Sequence, residues 1–146
     1  MAMTLQRYRR IVAAGAFYDL VVSLPFATPW SAAPVLRSLV RLHGVLGLGG
    51  APPPTFVAGH LLFVAFFGTV VTLWSLVRIV FRRPADGAAD TIGRGFFAAW
   101  MAWAIAAGVS RLVAVAFALE IGWGLVQGVG YWRLREARAS SSDAHR

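Results

Sequence analysis

Cysteine and lysine are both missing from this chain, and charge of either sign is scarce. Without cysteine there are no disulfides, no thiolate metal sites and no cysteine nucleophile, and the redox compartment stays unread. Charged residues make up 14% of the chain, against roughly 25% in ordinary soluble domains. There is no phosphate loop, zinc spacing, hydrolase elbow or nucleotide fingerprint, so no metal or cofactor is expected. All fourteen basic side chains are arginine, which together with the alanine and glycine richness points to a high-GC bacterial genome. Proline is absent between Thr91 and Trp132.

Long hydrophobic runs are what the chain has instead. Hydrophobic residues make up 58% and mean hydropathy is +0.66. Gly59 to Val77 contains His60 as its only ionisable group and closes on Arg78, Arg82 and Arg83. A run of that length and purity reads as a transmembrane helix, extended here to Gly59–Val80. An earlier span is expected over Arg10–Ala27, after Arg7, Arg9 and Arg10. A signal peptide starts similarly, but Asp19, Pro25 and Pro29 disfavour that reading. The stretch from Thr91 to Trp132 exceeds one crossing of a core about 30 Å thick. Gly108, Val109, Ser110 and Arg111 split it into Thr91–Ala107 and Leu112–Trp132. Arg82 to Asp90 reads as a turn segment, and Pro34–Leu46 as a short helix lying at the interface or capping the bundle.

The expected fold is all-α: a polytopic membrane protein with a four-transmembrane-helix bundle and a short interfacial helix in its first outer loop. Residues 1–139 form one domain and 140–146 a flexible cytoplasmic tail. Arg7, Arg9, Arg10, Arg78, Arg82, Arg83, Arg94, Arg133, Arg135, Arg138 and Arg146 fall on one side, and Arg37, Arg41 and Arg111 on the other. Eleven against three puts both termini in the cytoplasm, in the inner membrane of a bacterium. The net charge of +8 sits beside apolar segments rather than on a soluble basic face. Membrane lipids, and not nucleic acid, are the expected partner. Arg78, Arg82 and Arg83 read as membrane anchors. Trp30, Trp74, Tyr131 and Trp132 fall near helix ends, as interfacial aromatics do, whereas Trp100, Trp103 and Trp123 lie deeper.

Two acids inside apolar stretches, Asp19 and Glu120, are the best pointer to function. An ionised carboxylate at mid-membrane costs about 2.5–3.5 kcal/mol on insertion scales. Counting from Pro29 and Arg111, both lie roughly 13–15 Å in from the outer helix ends. Gly15, Ala16 and Ser23 flank Asp19, and Ala116, Gly124, Gln127 and Gly128 flank Glu120, at spacings that share a helix face. Small faces mark helix contacts in membranes, so both acids are expected inside. Arg111, His60, Tyr18, Gln127, a cationic ligand or water are the partners considered. Asp19, Glu120, His60, Gln127, Tyr18 and Trp123 are the ligand-binding candidates. The plainer reading is that the acids only hold the first and last spans in register. His60 is read first as an interfacial residue, and haem ligation with His43 lacks any supporting signal. Gly124 to Gly128 is a GxxxG spacing that permits close helix approach.

The segment FYDLVVSLPFATPW, the long outer loop and three closely spaced spans resemble the small four-helix DoxX-like and EXPERA-type membrane proteins. That resemblance covers roughly Arg10 to Trp132 in topology. It implies a bundle cavity in which Asp19 and Glu120 face a cationic ligand or a carbocation-like intermediate. The second span, HLLFVAFFG, departs from the group by offering a histidine and no acid. Three classes of function follow. The first is binding of a lipid or small amphipathic ligand, with isomerase-type acid–base chemistry as its enzymatic form. The second is an accessory subunit of a larger membrane complex or a homo-oligomer, and the third is a small transporter or proton path.

Overall fold

Thr4 begins the first helix, its hydroxyl accepting the Arg7 N–H at 3.2 Å and satisfying one of the free donors at the helix start. The structure is a computed structural model that describes residues 3–143, and among them it is all-helical. Helix α1 spans Leu5–Ser23 and tightens into a single 3-10 turn, Leu24–Phe26, where Pro25 removes a backbone donor. The chain then bends by 97° into α2, Pro29–Val45. Thr28 caps α2 by accepting the Ser31 N–H, and Pro29 occupies the first turn, where its missing N–H costs nothing.

Helix α3, Ala58–Phe81, ends on Arg82 in the left-handed region at φ 50°. Helix α4 is Pro84–Ala106 and α5 is Leu112–Asp143. Gly108, at φ 87°, makes the turn between them. That turn is tied to the loop after α2: Ala51 N–H donates to the Gly108 carbonyl at 2.7 Å, and Arg111 N–H to the Gly49 carbonyl at 3.0 Å. His43 and Ser110 hydrogen-bond across the same junction at 2.8 Å. The Gly108 turn and the loop after α2 therefore lie at one end of the bundle.

Helices α4 and α5 pack along each other, and α1 lies against α3 and α5. The α1 end reaches only the middle of α3. Gly68 sits under the Phe26 carbonyl so closely that a Cβ there would collide with it. Ser23 and Thr72 hydroxyls meet at 3.1 Å, and Thr69 donates to the Ala27 carbonyl at 3.0 Å. Tyr8, Val12 and Leu134 form a small apolar core with Ile11 and Tyr131 packed on it. Much of the buried interior is small or polar, while Phe63, Phe66, Trp100 and Trp103 point outward. This inversion suits a lipid surround, where large apolar side chains gain nothing by hiding.

Helices α3 and α5 are long and apolar enough to cross a membrane, and the bent pair of α1 and α2 brings the number to three if taken as one span. Helix α4 has the length, but Asp86, Asp90 and Arg94 make its first half too polar for that test. The sequence expectations need three boundary corrections. Most of Arg82 to Asp90 is helix rather than turn, because Pro84 starts α4 and Asp86 lies in its first turn, where the helix dipole favours an acid. The Pro34–Leu46 helix begins earlier, at Pro29. Residues 140–143 of the expected flexible tail are helical as the end of α5, and 144–146 lie outside the described residues.

Candidate functional site

Seven polar side chains from four helices meet inside the bundle. Asp19 comes from α1, Ser75 and Arg78 from α3, Asp90 and Arg94 from α4, and Glu120 and Gln127 from α5. Their spacings of three, four and seven residues put each pair on one helical face. Arg78 and Arg94 are 0% and 3% exposed, and the three acids 10–13%.

The two arginines and two aspartates close a ring. Arg78 Nη2 donates to Asp19 Oδ2 at 2.6 Å. Its Nη1 lies 2.6 Å from Asp90 Oδ2, a charge contact without the alignment of a hydrogen bond. Arg94 Nη2 reaches Asp19 Oδ1 and Oδ2 at 2.8 and 2.6 Å, and Arg94 Nε reaches Asp90 Oδ2 at 3.1 Å. The ring is neutral when all four groups are ionised. Ser75 supports it by accepting from Arg78 Nη2 at 3.3 Å. Gln127 Oε1 accepts from Arg94 Nε at 3.2 Å.

Glu120 is the odd member. Its Oε2 accepts from Arg94 Nη1 at 2.9 Å, while Oε1 makes no hydrogen bond among the described residues. Three carboxylates thus face two guanidiniums, so with every group ionised the cluster carries one negative charge more than positive. The Arg94 guanidinium stands 5.8 Å from the Tyr18 ring and 6.0 Å from Trp123, and those rings are 5.8 Å apart. Aromatic faces at that distance add cation–π attraction, and Trp74 does the same for Arg78 at 5.7 Å. Gln127 Nε2 and Arg78 Nε are buried without a partner.

Asp19, Glu120, Gln127, Tyr18 and Trp123 are therefore brought together, as their positions in the sequence implied. The space between α1 and α5 is filled, with Gln127 and Trp123 against Gly15. His60 is not part of the site. It lies at the α3 start, where Nδ1 accepts the Val57 N–H at 3.4 Å and the ring packs on Phe56. At 1.5 Å per residue, about 27 Å of helix separates it from Arg78. Arg111 stays by Gly49 in the turn at the bundle end. Arg78 is corrected outright from membrane anchor to buried ion-pair partner, because both its Nη atoms are taken by carboxylates. Arg82 and Arg83 remain exposed, with Arg83 over the Phe81 ring at 4.7 Å.

Sequence reasoning missed Arg94 and Asp90, the centre of the cluster. The signal was present in their i,i+4 spacing, which on a helix makes an ion pair. No family model, curated protein or solved structure matches the chain.

Proposed function

We propose that this chain is a four-span bacterial inner-membrane protein that binds a cationic amphiphile at the Glu120 edge of its buried charge cluster. The topology takes the bent pair of α1 and α2 as one interrupted span, followed by α3, α4 and α5. With Arg78 and Arg94 removed from the count because they are buried, and Arg37 and Arg41 because they lie within the interrupted span, nine arginines stand against Arg111, and the positive-inside rule still favours both termini in the cytoplasm.

One observation carries the binding reading: a carboxylate with a free oxygen beside two aromatic rings, in a cluster with one negative charge too many. An amine or quaternary ammonium supplies the missing charge, and aromatic faces receive such cations. Asp19 has both oxygens on arginines, which leaves Glu120 as the contact for the ligand. The arrangement fits the DoxX-like and EXPERA-type resemblance in its inward acids. It departs from that group's chemistry because the chain's own arginines already occupy most of them. A general acid needs a carboxyl free to exchange a proton with substrate, so the geometry favours binding over isomerase chemistry.

The filled contact of Gln127 and Trp123 on Gly15 favours a second reading, in which the cluster only locks the helices of an assembly subunit. Native mass spectrometry of protein extracted gently from its own membrane separates the two, with Glu120→Gln as the comparison. A cationic small molecule held by the wild type and lost from Glu120→Gln supports the binding site. A protein partner retained by both, with no small molecule on either, replaces it with the assembly reading.

A further inference from the structure

The end of the bundle where α1 begins and α3 finishes holds a different arginine group. Gln6, Arg9, Arg10, Phe81 and Arg82 line a concavity of about 430 Å³. No carboxylate lines it, and neither Arg9 nor Arg10 has a hydrogen bond or ion pair among the described residues. Three arginines line this one hollow, and an anion bound there would offset the repulsion between their like charges. A second observation is independent of charge. Arg82 is the only non-glycine among the described residues with positive φ, at φ 50° and ψ 37°. Glycine is the usual residue at that left-handed position after a helix, because it has no Cβ to clash. Arg82 keeps the strained conformation and ties its Nε back to the Ile79 carbonyl at 2.9 Å, leaving Nη1 and Nη2 free.

We infer that this hollow is a stoichiometric site for the phosphate of an anionic phospholipid, held by Arg9, Arg10 and Arg82 with Gln6 as a further donor. Planar guanidiniums match phosphate oxygens two at a time, which suits arginine better than a point charge. Phe81, 53% exposed at the lip, gives an acyl chain an apolar surface to follow. The volume accommodates a headgroup and its glycerol, and the position at the helix ends matches the headgroup layer. The site is separate from the Glu120 cluster and does not depend on a ligand there.

The test uses the full chain in nanodiscs of phosphatidylglycerol and phosphatidylcholine, with retained lipid counted by native mass spectrometry. The wild type is expected to hold phosphatidylglycerol selectively. Arg9→Gln with Arg10→Gln is expected to lower that retention roughly tenfold or more, since each arginine strengthens attachment to an anionic surface. Arg133→Gln with Arg135→Gln removes the same charge elsewhere and is expected to leave it unchanged. Arg82→Gly relieves the backbone strain, so it is expected to weaken retention while keeping or raising the melting temperature. Equal retention of phosphatidylcholine, or equal loss from the Arg133 and Arg135 variant, overturns the site in favour of diffuse charge. Displacement of the lipid by inorganic phosphate at millimolar concentration overturns the lipid assignment in favour of a free anion.

Discussion

Two sets of arginines in one small protein have opposite surroundings. Arg78 and Arg94 are buried between four helices and share three carboxylates. Arg9, Arg10 and Arg82 face a hollow with no acid in it. The difference shows what burial demands of a charge. Inside the bundle each guanidinium needs its acids from the chain itself, because desolvation costs several kcal/mol per ion and nothing else can offset it. At the helix ends, where Arg9, Arg10 and Arg82 are exposed, solvent screens the charge, so the chain can leave these arginines without acids of its own.

Removing Arg94 tests the comparison most severely. Arg94→Met leaves Asp19, Asp90 and Glu120 with Arg78 alone, and a loss of about 3–5 kcal/mol is expected by denaturation in detergent. Arg9→Met should stay within about 0.5 kcal/mol, and an equal loss at both positions would erase the distinction between the two sets. Overpacking comes next. Gly68→Val drives a side chain into the Phe26 carbonyl, and a loss of about 1–3 kcal/mol in the same assay is expected.

A finer test asks whether the ring acts as a unit. Arg78→Met and Asp90→Asn should each destabilise, and the double variant should lose less than the two together by about 0.5–3 kcal/mol. Strict additivity would mean that the 2.6 Å contact carries no coupling. A small change of the opposite sign is expected at Tyr8, whose hydroxyl is buried without a partner. Tyr8→Phe should raise stability by up to about 1 kcal/mol, read as a higher melting temperature.

Much of this architecture was legible from residue pattern. The long apolar run became α3, and the break at Gly108 to Arg111 separates α4 from α5. The small-residue stripes correctly turned Asp19 and Glu120 inward, and both carboxylates meet on Arg94. Arg78 was illegible, and Arg94 legible only through its i,i+4 spacing from Asp90, for a physical reason. Hydropathy counts an arginine as costly wherever it stands, and the positive-inside rule counts it as cytoplasmic, yet neither asks which helix it faces. His60 was overweighted because a lone ionisable group in an apolar run draws attention, although its role here is local, at the start of α3.

The sequence by itself determined that this chain is helical, suited to an apolar surround, and carries acids that must point inward, since composition and 3.6-residue periodicity follow from covalent order. Only the tertiary structure decided which cations answer those acids. Arg78 and Arg94 lie 59 and 75 residues from Asp19. Pairing across such distances depends on how α1, α3 and α4 pack, and no local pattern encodes that choice.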